Sequence, residues 1–388
     1  MAPPSPLVYG VPSVVLLLLI RHFWSRRHHY PPGPPQDPLI GNLRHAPKSK
    51  PCLTWEEWGK TYGPLIYMNI AGKPYIIINS YQIARELLEK RGQKYADRPR
   101  FVMAAELVGL GIQTALAPFG PLWRRHRKFF ASALSPHVVA KNYSGIHERK
   151  AYQFVQYCLD RPGEYRQNIK RCVASAANDT TVSALNTFLV AMSLYPEVQV
   201  KARAELDRVV GDRLPTLSDR NELPYILAIV QEVLRWVPPF PNGLPHRLME
   251  EDAYEGYYIP AGATVFANLW AMSRDPNIFE NPDKFDPDRY YNGTAKLDSR
   301  DFVFGFGRRV CPGNHLAIQG IFMTVATILW SFEITDKSPV NRRNMDSREI
   351  FNLNFTAYPE AYDISLEPRR TNLQEHVTSG ISEREALQ

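Results

Sequence analysis

A lone cysteine near the C-terminal end constrains this chain more than any other feature of its sequence. It lies in the segment FGFGRRVCPGNHLA, residues 304–317, between two glycine-bearing turns and directly ahead of an apolar helical stretch. Pro312 suits the first position of a helix, which would make Cys311 the N-cap residue. The positive end of the helix dipole and the neighbouring Arg308 and Arg309 would then favour the thiolate, which is a nucleophile or a metal ligand.

Three interpretations of Cys311 compete. An isolated cysteine is most often a small buried hydrophobe. A zinc site would pair Cys311 with His315 one helical turn later, but it needs four ligands and no second Cys/His pair lies nearby in the sequence. Gly307 and Gly313 would let the backbone approach a flat partner and direct N–H groups at the sulfur. Together with the arginines, these glycines favour a thiolate bound to a metal.

The composition is that of an ordinary globular protein. The chain has 388 residues, 44% hydrophobic and 22% charged, and can bury a large core. Because no repeat or linker-like stretch divides the body, we expect one domain. The four cysteines show no CxxC spacing, so we expect a reducing compartment and no disulfides. The net charge of +7, without a basic run interleaved with aromatics, argues against nucleic acid and fits an anionic membrane face or an acidic protein partner.

The N-terminus has the pattern of a membrane anchor. The first twenty positions carry no charge, their apolar centre is residues 8–20, and a basic stretch follows at residues 21–29. The run is short for a full span and Pro12 interrupts it, so a cleaved signal peptide is the alternative. Because the positive charges follow the apolar run, we expect a single anchor in residues 1–29 that leaves the body in the cytosol. The proline-rich residues 30–38 would form a stiff connector.

The middle of the chain combines one predicted hairpin with several predicted helices. Residues 65–70 and 74–79 alternate in strand fashion about Ala71, Gly72 and Lys73. Helical periodicity then predominates, with proline or glycine at the helix ends. The predicted helices cover residues 81–90, 122–134, 173–194, 197–210 and 224–237. We therefore expect a mainly α fold with small β-sheets.

Two groups of charged residues stand out on the predicted helices. Glu232 and Arg235 are three apart and share a helical face, and their apolar neighbours indicate burial. Arg289, from the FDPDRY segment, would complete a buried charge network, whereas a solvated surface pair is the alternative. Trp123 and Arg127 lie one turn apart on a basic helix, either as a surface cation–aromatic pair or as an anion site.

Asp179 and Thr180 lie in the segment AANDTT, residues 176–181, of an otherwise apolar helix. A threonine hydroxyl that bonds back to the preceding turn is the ordinary explanation for such a residue. A proton relay that faces a pocket is the functional alternative.

Taken together, these features resemble the cytochrome P-450 family of haem-thiolate monooxygenases. The family signature F-x-x-G-x-R-x-C-x-G is met at every fixed position by Phe304, Gly307, Arg309, Cys311 and Gly313. Three further motifs occur in the family's order along the chain: the W-x-x-x-R pair, the E-x-x-R pair and the arginine of the Pro-x-Arg-aromatic motif. Three segments, LPHRL, YEGYYIPAGATV and NLWAMSRDP, most resemble the sequences of fungal enzymes of secondary metabolism similar to O-methylsterigmatocystin oxidoreductase.

The resemblance implies haem b as the cofactor, with Cys311 as the axial thiolate on the iron. It implies that Arg127, Arg247 and Arg309 bind the haem propionates. The other cofactor-binding residues that it implies are Trp123, Phe304, Gly307 and Gly313. It assigns proton delivery during oxygen activation to Asp179 and Thr180, and a structural charge network to Glu232, Arg235 and Arg289.

The chain departs from the family pattern in two places. Ala177 stands where a glycine usually relaxes the helix beside the bound oxygen. Residues 135–171 are all that separate the basic helix from the long apolar helix, whereas the family normally has several further helices there that roof the substrate pocket. We expect these helices to be deleted at a seam near residues 169–172. An incomplete gene model or a skipped exon would explain the seam, and a genuinely shortened protein is the alternative.

The resemblance implies a membrane-bound monooxygenase that inserts one oxygen atom from O2 into a small lipophilic substrate. Electrons would come from an NADPH-dependent flavoprotein reductase, and no nucleic acid would take part. We expect a single N-terminal anchor in the endoplasmic reticulum, a haem domain over residues 39–370 that faces the cytosol, and a polar tail at residues 371–388. A non-catalytic haem-binding or misfolded remnant is the alternative.

Overall fold

The structure is a computed structural model that describes residues 28–173, 178–338, 345–360 and 362–386. The apolar run of the predicted anchor, residues 8–20, lies outside these ranges, and so does Ala177. Across the described ranges, no helix is both long and apolar enough to cross a membrane.

Helices dominate the described chain, and several of them begin at a proline, whose fixed φ suits the first turn of a helix. The α-helices are α1 (Pro51–Tyr62), α2 (Tyr81–Ala84), α3 (Pro121–Ala133), α4 (Pro136–Asn142), α5 (Ser144–Asp160), α6 (Tyr165–Val173), α7 (Asn178–Leu194), α8 (Pro196–Val209), α9 (Pro224–Trp236), α10 (Leu269–Ser273), α11 (Asp288–Tyr291), α12 (Arg300–Val303), α13 (Asn314–Ser331), α14 (Ser347–Ile350) and α15 (Leu373–Ala386). The π-helical segments are Arg85–Lys90 and Val102–Leu107, and the 3₁₀ segments are Leu110–Ile112, Pro162–Glu164, Leu217–Glu222 and Gly307–Arg309.

The strands of the described chain are short and form small sheets. They are β1 (Leu65–Ile70), β2 (Lys73–Ile78), β3 (His246–Arg247), β4 (Asp252–Tyr254), β5 (Tyr257–Ile259), β6 (Thr264–Ala267), β7 (Phe332–Asp336), β8 (Phe351–Asn352), β9 (Tyr358–Pro359) and β10 (Ile364–Pro368). The largest sheet has the order β1-β2-β6-β3, in which β2 and β6 are parallel and the other pairs antiparallel. Strands β4 and β5, β7 and β10, and β8 and β9 form antiparallel pairs.

The hairpin predicted from sequence is confirmed. Strands β1 and β2 pair with Leu65 opposite Ile78 and with Ile70 opposite Lys73. Between them, Ala71 has φ 48 and Gly72 has φ 84. A two-residue hairpin turn of type I′ has this left-handed conformation at both central positions, which matches the twist of the flanking strands.

Helices α7 and α13 form the centre of the larger hydrophobic core. Helix α7 is buried continuously from Val182 to Leu194, and a helix that is apolar all round must be surrounded by other elements. Helices α6, α8, α9 and α13 pack against it. A second core lies between the four-stranded sheet and α2. The mainly helical fold with small sheets is therefore confirmed.

Of the long helix predicted at residues 173–194, the structure describes Val173 and residues 178–194. Helix α6 ends at Val173 and α7 begins at Asn178, with residues 174–177 outside the described ranges. Helices α6 and α7 pack against each other. Asp179 lies in the first turn of α7 as described.

The proline-rich residues 30–38, expected to form a connector, are docked on the body. The N–H of Tyr67 in β1 donates to the carbonyl oxygen of Pro32 over 3.0 Å. Just before this segment, the ring of His28 stacks on the ring of Tyr258, with 4.1 Å between the centroids. The chain is thus attached to the body from His28 onwards.

Residues 371–388, expected to form a polar tail, contribute α15, which packs against α5. Leu373 and Val377 of this helix are buried. Gly380 lies so close to Tyr152 of α5 that a Cβ would come within 3.2 Å of the ring. The end of the described chain is therefore part of the packed body.

Candidate functional site

The backbone fixes the loop that carries Cys311. Gly307 has φ 52, and a Cβ there would lie 2.3 Å from the carbonyl oxygen of Leu88. Both the left-handed conformation and this close approach require glycine. The N–H of Cys311 donates to the carbonyl oxygen of Phe304 over 2.8 Å, and Gly313 is the N-cap of α13. The expectation that Cys311 caps the helix was therefore wrong, because this hydrogen bond holds the cysteine in the preceding loop.

Cys311 differs from the other cysteines in its exposure and its neighbours. It is partly exposed, whereas the remaining three are buried: Cys52, Cys158 and Cys172. Burial raises the pKa of each of these three thiols to about 12. Burial also raises the pKa of Cys311, but the N–H of Gly313 and the guanidinium of Arg127 act in the opposite direction and favour the thiolate. Arg308, expected to contribute, is exposed.

Trp123 brings two of the predicted arginines together. Its ring centroid lies 4.7 Å from the guanidinium carbon of Arg309 and 5.9 Å from that of Arg127. Arg127 also donates from Nη1 to the carbonyl oxygen of Val310 over 2.6 Å, directly before Cys311. Residues from α3 and from the cysteine loop, far apart in the sequence, thus meet beside the thiol.

Arg309 is held in place by backbone carbonyl groups. It donates from Nε to the oxygen of Ala96 over 2.5 Å and from Nη2 to the oxygen of Ala117 over 2.9 Å. Burial lowers the pKa of Arg309 to about 10, against the opposing effect of Asp97. The guanidinium is therefore fixed in direction while its charge is only partly compensated.

Two further residues of this cluster, Arg98 and His246, were missed from sequence. Arg98 is buried and donates to the carbonyl oxygen of Pro245 over 2.6 Å. Burial and the charge of Arg309 lower the pKa of Arg98 to about 9. Nδ1 of His246 lies 2.9 Å from the carbonyl oxygen of Tyr95, and burial and the charge of Arg98 lower the pKa of the imidazole to about 3.

Arg247 lies at the exposed edge of the same cluster. Successive residues of a strand point to opposite faces, so His246 and Arg247 of β3 point in opposite directions. The side chain of Arg247 is 49% exposed, and its Nη1 lies 3.2 Å from Oδ2 of Asp97. The alternation of LPHRL was the signal that could have identified His246 as the buried member of this pair.

The cluster carries an excess of buried positive charge. Arg98, Arg127 and Arg309 are close together, and their hydrogen bonds go to backbone carbonyl groups. Because burial disfavours a charge that lacks a partner, the lowered pKa values of Arg98 and Arg309 indicate a place for an anion. Carboxylates suit guanidinium groups, and haem carries two propionates. The residues around Cys311 therefore fit haem.

The predicted acid–alcohol pair lies at the start of α7. Asp179 is exposed in the first helical turn, where a negative charge suits the helix dipole. Thr180 is partly exposed. The backbone oxygen of Asp179 accepts a hydrogen bond from the hydroxyl of Tyr358 over 3.0 Å. The role of this pair in proton delivery stays a prediction.

The predicted charge network is present and buried. Glu232 and Arg235 are both fully buried, and two parallel hydrogen bonds of 2.8 Å join the guanidinium to the carboxylate. Nε of Arg289 lies 3.3 Å from the same carboxylate, and the N–H of Asp286 donates to it over 2.8 Å. This network fastens α9 to the loop that carries α11.

The chain is similar to fungal monooxygenases over most of its length. It is 31% identical to cytochrome P450 monooxygenase claR of Ampulloclitocybe clavipes, with 94% of this chain and 91% of the relative covered. It is 28% identical to cytochrome P450 monooxygenase 176 of Postia placenta, with 89% and 91% covered. It is also 28% identical to cytochrome P450 monooxygenase aneD of Aspergillus aculeatus, with 93% and 92% covered.

The same comparisons locate an internal shortening. The family model described as Cytochrome P450 matches residues 31–175 and residues 166–362, so the two matches overlap where the seam was expected. The alignment with the Ampulloclitocybe relative runs over 487 positions, although 94% of 388 residues is only about 365. The difference of about 122 positions has no counterpart in this chain. The overlap of the two matches supports an internal shortening at the expected seam, near residues 169–172.

Solved structures show the same fold. A zebra fish cytochrome P450 structure with progesterone superimposes with a TM-score of 0.72 at 22% sequence identity, over 82% of this chain and 99% of that one. A zebra fish cytochrome P450 structure with abiraterone gives a TM-score of 0.66 at 23% identity, over 82% and 100%. With the family model matched from residue 31 to residue 362 and a relative 31% identical along the chain, this protein belongs to the cytochrome P450 family.

Proposed function

We propose that this chain is a haem-thiolate monooxygenase that inserts one oxygen atom from O2 into a small lipophilic substrate, and that Cys311 would supply the thiolate that holds the haem iron. The observation that carries the proposal is the meeting of Trp123, Arg127 and Arg309 at the loop of Cys311. The relatives described above are all named as monooxygenases, which does not favour a non-catalytic remnant.

The arginine cluster would bind and orient the cofactor. Arg98, Arg127 and Arg309 supply buried positive charge for the propionates, and Arg247 supplies a further guanidinium at the exposed edge, where it now pairs with Asp97. Charge-assisted hydrogen bonds of this kind contribute roughly 1.5 to 3 kcal/mol each. The chemistry that haem supplies when bound is the activation of dioxygen, which electron donation from a thiolate favours.

Burial raises the pKa of the Cys311 thiol, and two groups oppose that effect. The N–H of Gly313 points at the sulfur, and the guanidinium of Arg127 lies close enough to favour the thiolate. Asp179 and Thr180 would supply protons from the start of α7, since a carboxylate exposed to water can be reprotonated from solvent.

The exposed face of α3 is our candidate docking surface for the flavoprotein reductase. Arg124, Arg125 and Lys128 are exposed on this helix, and Arg308 is exposed in the loop that leads to Cys311. Such a positive face would steer an acidic partner towards the thiolate side of the site. Electrons would then reach the cofactor over a short distance.

The lipophilic substrate class and the location rest on separate observations. The names of the two zebra fish structures include progesterone and abiraterone, both lipophilic compounds, as ligands of that protein. Residues 8–20 and the basic stretch after them support an N-terminal anchor in the endoplasmic reticulum membrane, with the body facing the cytosol.

The carbon-monoxide difference spectrum of the reduced, purified chain tests the ligand assignment. We expect a thiolate-type spectrum from the unchanged chain and its complete loss in Cys311→Ala, because no other thiol lies beside the arginine cluster. Cys172→Ala is the control and should keep the spectrum. A thiolate-type spectrum that survives in Cys311→Ala would overturn the assignment.

Product formation separates a monooxygenase from a remnant. The haem-loaded chain, supplied with NADPH, a flavoprotein reductase and a set of lipophilic compounds, should form singly oxygenated products. A chain that shows the thiolate spectrum and accepts electrons, yet oxygenates none of the compounds, would support the non-catalytic alternative.

A further inference from the structure

Asp97 places a carboxylate inside the arginine cluster, and the proposed function gives it no role. Its side chain is only 12% exposed. Among the residues that the structure describes, it is the one carboxylate that forms an ion pair with any of the four arginines of the cluster, Arg98, Arg127, Arg247 and Arg309. A fixed negative charge is unexpected at a place that would receive two further negative charges, because like charges repel.

Three hydrogen bonds hold Asp97 in place. Its backbone oxygen accepts from the N–H of Arg247 over 2.8 Å, and its Oδ2 accepts from Nη1 of the same arginine over 3.2 Å. Its Oδ1 accepts from the N–H of Phe119 over 2.8 Å. Asp97 thus connects β3 to the segment that leads into α3, and its carboxylate cannot turn away from the cluster without the loss of two of these bonds.

The charge of Asp97 acts on more than its direct partner. Burial lowers the pKa of Arg98 to about 9 and that of Arg309 to about 10, and Asp97 opposes this effect at both residues. The hydrogen bonds of these two arginines go to backbone carbonyl groups. Asp97 therefore offsets part of the cost of burying several like charges together.

We propose that Asp97 is an internal counter-anion of the arginine cluster, which stabilises the protein without haem and lowers the affinity of the cluster for the propionates. Its carboxylate attracts the guanidinium groups that the propionates would contact, and it would repel the propionates themselves. Asp97 is in this sense a positioning residue that acts through the arginines. The proposal rests on the proposed function, which places haem at this cluster.

Asp97→Asn separates this role from that of an ordinary structural residue. The asparagine keeps an oxygen that can accept the hydrogen bond from Phe119, but it carries no charge. The loss of an ordinary structural contact would lower both the stability of the protein and its affinity for haem. The loss of a counter-anion should lower the melting temperature of the haem-free chain and at the same time raise its affinity for haem.

The matched control is Asp252→Asn. The side chain of Asp252 is 9% exposed and pairs with Arg91 over 3.2 Å and with Lys94 over 3.6 Å, outside the cluster. Its substitution should also lower the melting temperature, but it should not raise the affinity for haem. Full-length chains prepared without haem are titrated with haemin, and the change in Soret absorption gives the dissociation constant.

A chemical variant of the ligand tests whether the effect is electrostatic. Haemin dimethyl ester has the same ring and iron as haemin but lacks the charges of the propionates. We expect Asp97→Asn to bind haemin roughly tenfold more tightly than the unchanged chain does, since the removal of one nearby like charge changes the electrostatic free energy by about this order. Its affinity for the ester should be nearly unchanged. Asp252→Asn should bind neither ligand more tightly.

The outcomes distinguish this proposal from the proposed function. Weaker or unchanged binding of haemin by Asp97→Asn would overturn the proposal, while the proposed function stands. Equally tighter binding of haemin and its ester would also overturn it, because the gain would not come from charge. If the unchanged chain binds neither ligand, both fail.

A second variant is needed if Asp97→Asn is insoluble. Asp97→Ser also keeps an oxygen that can accept a hydrogen bond and also lacks the charge. It should show the same tighter binding of haemin and the same indifference to the ester. Insolubility of both variants would show that the carboxylate is required for folding, and would overturn its role in setting the affinity.

Discussion

Gly307 is the most restricted residue of the cysteine loop. Its φ of 52 lies in the left-handed region, and a Cβ would approach the carbonyl oxygen of Leu88 to 2.3 Å. Gly305 shares the first restriction but not the second, since its φ is 81 and the nearest atom to a Cβ there is 3.8 Å away. Substitutions at these two glycines can therefore distinguish the cost of backbone strain from the cost of steric overlap.

We predict that Gly307→Ala destabilises the fold more than Gly305→Ala. The left-handed conformation costs each variant roughly 1 to 2 kcal/mol. Overlap with Leu88 adds roughly 1 to 3 kcal/mol at Gly307 alone, because the obstacle is backbone. Urea denaturation of both variants measures the difference. Equal losses would mean that the contact with Leu88 relaxes at no cost.

Arg235 provides a second test at the scale of one residue. It forms two hydrogen bonds to Glu232, and both side chains are fully buried. Arg235→Ala leaves a buried carboxylate with fewer partners, at a cost on the order of 3 to 5 kcal/mol, and should prevent soluble expression. Lys201→Ala breaks an exposed ion pair with Asp288 and should cost less than about 1 kcal/mol. Soluble Arg235→Ala with an unchanged melting temperature would contradict the burial of this network.

Motif spacing predicted the Glu232 network because its two main members lie on one helical face. Local periodicity cannot reveal Arg98 in the same way. Its hydrogen-bond partner Pro245 is 147 positions away along the chain, so the contact depends on how β3 packs beside the segment that contains Arg98. The role expected for Gly307 beside a cofactor stays a prediction, and what the structure shows at this glycine is close packing on Leu88.

Helix α15 is an element that the sequence did not predict. Leu373 and Val377 recur at helical spacing, but they lie in a mostly polar stretch near the end of the chain, so the periodic signal is short. By contrast, α3 and α9 were predicted to within a residue, because the helical periodicity of each extends over 13 residues. Short elements therefore depend on tertiary contacts that the sequence does not display.

We predict that α15 stabilises the body. A chain that ends at Arg370 loses the burial of Leu373 and Val377, worth roughly 1.5 to 3 kcal/mol for each side chain. It also loses the ion pair between Arg384 and Glu148, whose closest atoms are 2.7 Å apart. Thermal unfolding should show a clearly lower melting temperature, whereas Gln374→Ala on the exposed side of α15 should change little. An unchanged melting temperature in the shortened chain would show that α15 contributes no net stability.

In the whole molecule, the residues that would bind the cofactor are separate from the place where the chain is shortened. The arginine cluster, the cysteine loop and the Glu232 network all lie outside the seam at residues 169–172. The two matches of the family model overlap at residues 166–175, a range that includes most of α6. Asp179, at the start of α7, is exposed.

We predict that restoring the missing stretch increases haem loading. A chimera that carries the corresponding segment of the Ampulloclitocybe relative at residues 169–172 should cover α7 and reduce exposed apolar surface. The ratio of haem to protein should rise several-fold and aggregation on size-exclusion chromatography should fall. Sequencing of transcripts across the seam shows whether the natural message contains such a segment. Stoichiometric haem and turnover in the unmodified 388-residue chain would contradict this prediction.

At this scale the sequence predicted one mainly helical body and the position of its seam. It did not predict that residues 30–38 lie on the body, because proline-rich segments of the same composition serve equally as free spacers. The docking depends on a distant β-strand, through the hydrogen bond of Tyr67 to Pro32, and on the ring of Tyr258.

This docking determines how far the body can move from its attachment. From the end of the apolar run at residue 20 to the stacked ring of His28, the connecting segment is residues 21–27. Residues 20 and 28 are eight steps apart along the chain, so at about 3.6 Å per extended residue their Cα atoms are at most about 29 Å apart. If residues 8–20 lie in a bilayer, this short connection keeps the body close to the lipid surface and restricts its tumbling. A sideways pull on the anchor would load the His28–Tyr258 contact before any hydrogen bond of the sheet.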